Sequence, residues 1–259
     1  MAVADGEISE TDVSAPRGGV YVYAIARAGA LRAIRTDGVG GAPVDVREEG
    51  PLAAVISVLP ASTLRVKRHD LQRHLRVIEE AFGETTVLPC PFGTVVASEA
   101  ELVEAVLAGR RDTLLDALGR LDEKVQLNVK AVYDEDVLLR EIVDADPEIA
   151  RLRERTRRLG DAGYYERVRL GELVAAAVSA HRARDADRLL VTLAQAAADV
   201  VAETDDGAAL KASFLVARGE LDRFDALLEQ IALAERPLLR FDVIGPLPPT
   251  AFASAYAEG

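Results

Sequence analysis

Two hydrophobic rhythms divide this chain. Short β-branched and aromatic runs alternate with longer stretches whose apolar residues recur three and four apart, the patterns of strands and of amphipathic helices. "VYVYAIA" (20–26) predicts a central strand. "VDVR" and "LAAVISVL" predict two more, folded as a hairpin around "EEGP" (48–51), so the glycines of the preceding "GVGGAP" read as turn residues. "KRHDLQRHLRVIEEAFG" places Leu71, Leu75, Ile78 and Phe82 at helical spacing, with Gly83 as the expected terminator. "ETTVLP" and "GTVV" read as one strand interrupted at Cys90. "SEAELVEAVLAGRRDTLLDALGRL" reads as a helix: Ser98 and Glu101 form a capping box, and Leu102, Val106 and Leu107 supply the buried face.

A second strand–helix set follows. "EKVQLNVKAVYD" alternates through Val125, Leu127, Val129 and Ala131, the half-buried strand pattern. "DEDVLLREIV" and "DPEIARLRERTRRL" predict helices, with Pro147 suited to a first turn. The stretch from "YYERVRLGELV" to "LAQAAADV" predicts a long helix bent or broken near 184–187. A short strand is expected at 199–202, then the strand "ALKASFLVAR", the helix "GELDRFDALLEQIALAE" and a last strand, "PLLRFDVIG". The order is β-α-β-β-α-β, which is ferredoxin-like, and the first half reads as a modified α/β relative of it. The expected class is therefore α+β, with two domains and antiparallel or mixed sheets. The expected boundaries are a disordered acidic tail at 1–17, an N-terminal α/β domain at 18–121, a C-terminal ferredoxin-like domain with extra helices at 122–244, and a proline-containing tail at 245–259. Within that tail, "GPLPPTAF" is expected to pack back on the protein, because Leu247 and Phe252 would otherwise lie exposed and the prolines limit the entropy lost.

Composition narrows the function classes. Nearly half of the 259 residues are hydrophobic, enough to bury a core. The formal net charge of −12 opposes non-specific nucleic-acid binding. An RNA-binding version of this topology would need stacking aromatics on its central strands, and "ALKASFLVAR" offers Phe214 alone. One cysteine rules out an intramolecular disulfide and fits a reducing cytoplasm. No apolar run approaches the ~18 residues of a membrane span, and the acidic N-terminus lacks a signal-peptide pattern. A cytoplasmic chain is expected, with no nucleic acid, membrane or small-molecule substrate.

Candidate chemistry is sparse. Cys90 lies between Pro89 and Pro91 in an extended break, and a thiol nucleophile there would need a histidine base. The candidates are His69, His74 and His181, none near Cys90 in sequence. His69 and His74 are five apart, about 140° around a helix, so they make no metal pair and read as exposed. His181 stands among arginines and aspartates, where a surface role is an equal alternative, and Cys90 reads as a mostly buried small hydrophobe. No acidic metal loop, Ser-His-Asp set or P-loop is visible, so no catalytic residue, cofactor or metal is expected. The arginines of "RLRERTRR" (151–158) spread around their helix; they read as a solvated face with local ion pairs, or more sharply as an anchor for an acidic partner. "GYYERVRLGELV" brings Tyr164, Tyr165, Arg167, Arg169 and Leu173 into one stretch. Tyrosine and arginine are the residues that interfaces favour, although tyrosines at a helix start also cap domain cores.

Several segments, in order and spacing, resemble the gas vesicle F/L protein family (GvpF/GvpL): "YVYAIA", "LPCPFGTVV", "VQLNVKAVYDE", "DPEI", "GYYERVRLGELV", "ASFLV" and "RFDVIGPLPPTAF". Leu88, Pro89, Phe92 and Gly93 carry the match in the second of these, while Cys90 falls at a variable position. The ending "PPTAF" departs from the more usual aromatic-bearing tail. The resemblance implies an accessory or minor structural protein of gas vesicles, located at the vesicle and in the cytoplasm during assembly. Implied partners are the very hydrophobic major shell protein and other gas vesicle accessory proteins; no enzymatic activity is implied. Two other classes stay in view: a ferredoxin-like regulatory module that binds a small molecule, and a cysteine enzyme.

Overall fold

The run at 20–26 becomes the centre of a sheet because both of its faces are covered. In the computed structural model, which describes residues 19–59, 68–159, 163–205 and 207–258, β1 (Val20–Arg27) is buried at every residue but the last. A strand buried on both sides reads as a continuous apolar run rather than an alternating one. The expected acidic tail at 1–17 lies outside the described residues. β1 pairs antiparallel with β3 (Leu52–Val58), and β3 with the charged edge strand β2 (Asp45–Glu49). On its other side β1 pairs antiparallel with β4 (Val87–Pro89) and, further along, with β5 (Val95–Val96). The strand interrupted at Cys90 is therefore what forms: two short pieces on one edge of β1, with the "CPFGT" turn bulging between them.

Helix α1 (Arg68–Glu84) covers this sheet with only part of the expected face: Ile78 and Phe82 pack on the core. Val77, Ile78 and Ala81 pack with Tyr21, Tyr23 and Val55, and Asp70 and His74 are buried beside them. Leu71 and Leu75 are exposed, and the helix runs through Gly83 rather than stopping there. The helix expected over 98–121 is broken into pieces. Ser98 accepts from the Glu101 amide (3.1 Å) while Glu101 accepts from the Ala97 amide (2.7 Å), so the capping box starts α2 (Glu99–Glu101). A π-helical segment, Leu102–Ala108, follows before α3 (Arg111–Leu121). The π turn closes with the Gly109 amide donating to the Glu104 carbonyl (3.0 Å). A Cβ at position 109 would stand 2.7 Å from the Ala105 carbonyl oxygen, so only glycine permits this approach.

The second sheet has the order β7-β8-β6-β9. Its elements are β6 (Lys124–Tyr133), α4 (Glu135–Ala145), α5 (Pro147–Leu159), α6 (Tyr164–Ala194), β7 (Asp199–Ala202), β8 (Ala208–Ala217), α7 (Leu221–Ala234) and β9 (Leu239–Leu247). This is the β-α-β-β-α-β succession with α4 and α5 added ahead of α6. Its core joins Leu127, Val129, Ala131 and Tyr133 of β6 to Phe214 and Val216 of β8, Leu189 and Leu193 of α6, and Phe224 of α7. α6 is one uninterrupted helix of 31 residues. The polar stretch at 184–187 does not break it, because Asp185 is buried and bonded.

Val125–Pro246 form one compact unit, and residues up to Lys124 together with those from Leu247 form the other. The C-terminal segment does pack back, and it does so as a helix, α8 (Thr250–Glu258), which lies against α3 and β4 with Phe252 and Ala253 buried.

Candidate functional site

Cys90 is half-buried rather than fully enclosed, and its loop is held by the backbone. The Cys90 amide donates to the Tyr23 carbonyl (2.8 Å), and the Thr94 amide to the Pro91 carbonyl (3.1 Å) across a turn whose third residue, Gly93, has φ +90°. That conformation is the one a type II turn reserves for glycine. The Gly93 amide donates to the Tyr21 hydroxyl (2.9 Å), which lies 3.0 Å from His74 Nδ1. The Cys90 backbone also hydrogen-bonds the His74 ring. Burial pushes the His74 pKa from 6.5 to about 4, so the imidazole is neutral.

His74 is thus not the exposed residue that its helical spacing suggested. It clamps one turn from both ends, through Cys90 and Gly93, and stacks edge-on against Phe92 at 5.4 Å between centroids. His69 is exposed, beside Asp70 at 3.4 Å. Burial pushes the Cys90 thiol up to about 12, only partly opposed by the Arg110 charge. The thiol is protonated at neutral pH, and the adjacent imidazole is engaged elsewhere. This arrangement positions a turn; it supplies no thiolate. Tyr23 does similar work on a second loop: it accepts from the Val39 amide (2.8 Å) and donates to Ser57 Oγ (3.0 Å). A side chain at Gly38 would collide with its hydroxyl at 2.1 Å, which is why "GVGGAP" begins with glycine.

In the second unit, Asp185 on α6 accepts from the Tyr133 hydroxyl on β6 (2.7 Å) and from Arg188 (2.9 Å), with His181 Nε2 at 3.2 Å. Arg188 reaches on to Glu235 just past α7. His181 is therefore half-buried beside this cluster. A cavity of about 590 Å³ opens between α6 and the β7–β8 strands. Three of its charged residues are already paired in place: Asp205 with Lys130 at 2.8 Å, and Lys211 with Glu203 at 2.7 Å.

The predicted partner-binding residues divide. Arg155 pairs with Glu166 (3.4 Å) and Arg169 with Glu148 (2.7 Å), so α5 and the start of α6 run antiparallel as a helical hairpin. At its tip Tyr164 is 62% and Tyr165 83% exposed, their rings edge-to-face at 5.6 Å. Leu159 and Val168 are exposed with them. Leu159 adjoins Gly163, where a Cβ would come within 3.0 Å of its own. Arg167 and Arg169 are exposed on the same end of α6. Leu173 is not part of this surface: it is half-buried and packs on the second core. It follows Tyr164 by nine positions, about half a turn round the helix. Leu159 and Val168 were missed; Val168 sits four after Tyr164 and could have been found by that spacing alone. Among the described residues no cluster of three or more His, Cys, Asp or Glu could hold a metal ion. No described helix is long and apolar enough to cross a membrane.

A family model described as gas vesicle synthesis protein GvpL/GvpF matches residues 19–254 of this chain. The chain is 39% identical over 236 residues to gas vesicle protein F of Streptomyces sp. (strain CB03234), covering 90% of this chain and 98% of that one. It is 29% identical over 270 residues to gas vesicle protein L of the same strain, covering 92% and 94%. The crystal structure of GvpF from Anabaena sp. PCC7120 superposes with a TM-score of 0.77 at 21% identity, over 91% of this chain and 98% of that one. GvpF from Microcystis aeruginosa gives 0.70 at 20% identity, with the same coverage.

Proposed function

Because the chain belongs to the GvpL/GvpF family of gas vesicle synthesis proteins, we propose that it serves vesicle assembly by binding the hydrophobic major shell protein at the tip of the α5–α6 hairpin. The family is a gas vesicle family and not an enzyme family, and in this reading the chain is a non-catalytic adaptor at the vesicle and in the surrounding cytoplasm. Other gas vesicle accessory proteins are further partners of the same kind.

The observation that carries the reading is the apolar tip. Leu159, Tyr164, Tyr165 and Val168 are exposed together, outside the core of their unit. Exposed aromatic clusters flanked by arginine are characteristic of binding hot spots. The arginines of α5 pair locally in part, Arg155 with Glu166 and Arg158 with Glu154, so they steer and frame the contact more than they carry it. The −12 net charge keeps the adaptor soluble while it holds an apolar chain.

The test is co-expression with the shell protein and a pull-down at low and high salt. Binding is expected to survive high salt, because apolar burial carries it. The double variant Tyr164→Ala/Tyr165→Ala, shown to be folded by circular dichroism, is expected to weaken binding by roughly 2 kcal/mol or more. Undiminished binding by the folded double variant would remove the tip from the interface, and complete dissociation in moderate salt would reject the apolar mode.

A further inference from the structure

Sheet edges are templates for pairing unless a chain blunts them. The edge strand β2 is blunted by Asp45, Arg47, Glu48 and Glu49, and β7 has only four residues. The remaining edge of the second sheet, β9, is different. It is nine residues long and, among the described residues, pairs on one side only, with β6. Its outer stretch is apolar: Val243 is 43% and Ile244 63% exposed.

The orientation of β9 fixes which backbone groups face outward. The Asp134 amide donates to the Leu238 carbonyl (2.9 Å), and further along Gly245 lies against Leu127, so β9 runs antiparallel to β6. In an antiparallel ladder hydrogen-bonded residues alternate. The even-numbered residues of β9 thus turn their N–H and C=O toward β6, and Phe241 and Val243 turn theirs to the open edge, together with the Leu239 carbonyl; the Leu239 amide is already donated to the Glu235 carbonyl (3.0 Å). Side chains alternate as well: Leu239 and Phe241 pack with the core, while Arg240 and Asp242 are exposed on the other face.

We infer that this edge pairs with the β9 of a second copy of the chain, antiparallel about a two-fold axis at Phe241. Only three two-fold registers are open near the strand's centre. Centring on residue 240 would set Arg240 against Arg240, and centring on 242 would set Asp242 against Asp242; like charges directly opposite are destabilising. Centring on Phe241 sets Arg240 of each copy against Asp242 of the other. The same register places Leu239 opposite Val243 and Leu238 opposite Ile244, which covers the exposed apolar positions. It also brings the outward residues into the hydrogen-bonded pairs that the ladder requires, for up to about four inter-strand bonds, since the Leu239 amide of each copy is already bonded to Glu235. Backbone parity admits all three registers, and charge and apolar cover select this one. Neither Arg240 nor Asp242 has another hydrogen-bond or ion-pair partner among the described residues. Beyond Ile244 the regular edge ends at Gly245 (φ +155°) and Pro246, so the pairing is confined to one short segment and makes a closed dimer, not a fibre.

The experiment is sedimentation of the full chain from micromolar to near-millimolar concentration, with circular dichroism on every variant. A concentration-dependent dimer is expected. Arg240→Asp and Asp242→Arg each convert two attractive pairs into two repulsive ones, and each should weaken self-association roughly tenfold or more. The double variant carrying both swaps should dimerise like the parent chain. An equimolar mixture of the two single variants should also recover, because each repairs the other. A chain that stays monomeric throughout, or dimers indifferent to the swaps, would overturn the inference. So would protection of the 239–244 amides from exchange that appears only when the shell protein is added, since the edge would then belong to that partner.

Discussion

Each unit fastens its main helix to its sheet with a buried tyrosine, and the two solutions differ in charge. In the first, Tyr21 of β1 meets His74 of α1, and every group in the chain of bonds from Gly93 to Cys90 is neutral. In the second, Tyr133 of β6 meets Asp185 of α6, which also holds Arg188 and His181. The neutral clamp positions a turn through backbone groups. The charged cluster ties three elements together and keeps a 31-residue helix straight through a polar stretch. The lesson is that a buried polar residue can be a turn-holder or a helix anchor depending on whether its partners are dipoles or charges.

The sharpest break in that comparison is Asp185→Ala. It strands the Tyr133 hydroxyl and removes the only buried anion that faces Arg188 and His181 among the described residues. Stranding a buried hydroxyl beside a half-exposed guanidinium costs about 2 to 3 kcal/mol, read as a lower urea midpoint at unchanged slope. Asp185→Asn, which keeps a hydrogen-bond acceptor for Tyr133, should lose less. Equal losses for the two variants would show that charge is immaterial here.

Tyr21→Phe is the matching test of the neutral clamp, with a smaller expected loss of about 2 kcal/mol. It leaves the Gly93 amide and His74 Nδ1 without their shared partner. The loss should be local as well: amides of the 90–94 turn should exchange faster while those of the second unit do not change. If protection falls evenly across both units, the clamp is not a local device.

Both anchors misled the sequence reading for the same physical reason. His74 read as exposed and the Asp185 region as a helix break because a polar residue in a periodic pattern is assigned to water. What buries it is a partner elsewhere in the chain: Tyr21 is 53 positions from His74, and Tyr133 is 52 from Asp185. The strands were legible because burial of both faces, or of alternate residues, writes itself directly into the pattern; so was the interruption at Cys90, between two prolines. The break at Gly109 was not, since a π turn depends on how closely two backbones approach. Of the candidate surface, Tyr164, Tyr165, Arg167 and Arg169 lie on one exposed helix end. Leu173 was grouped with them by proximity in sequence, although helical geometry turns it to the core.

The two anchors should also separate by pH. Burial lowers the His74 pKa from 6.5 to about 4. Between those values the unfolded chain binds a proton that the folded chain refuses, so stability rises with pH in this window. The contribution is complete above about 6.5 and is lost as pH falls toward 4. In His74→Gln, stability measured by urea unfolding across this range should lose up to one proton's worth of slope relative to the parent chain. An unchanged slope would mean that the imidazole is not held neutral.

The smallest effect is expected at Cys90, and it bears most directly on what the "PCPFG" turn is for. The clamp grips Cys90 by its backbone, through Tyr23 and His74, and the backbone does not change when the side chain does. Cys90→Ser and Cys90→Ala alter only a half-buried sulfur, for which a loss of about 1 kcal/mol or less is typical. Because burial pushes the thiol up to about 12, a disulfide reagent at pH 7.5 should modify the native chain far more slowly than the denatured one. Vesicle formation in cells carrying either variant should be normal, as a turn held by its backbone requires. Fast modification of the native thiol, or loss of vesicles with a folded Cys90→Ser protein, would return the cysteine to the list of functional groups and leave the neutral clamp as its means of activation.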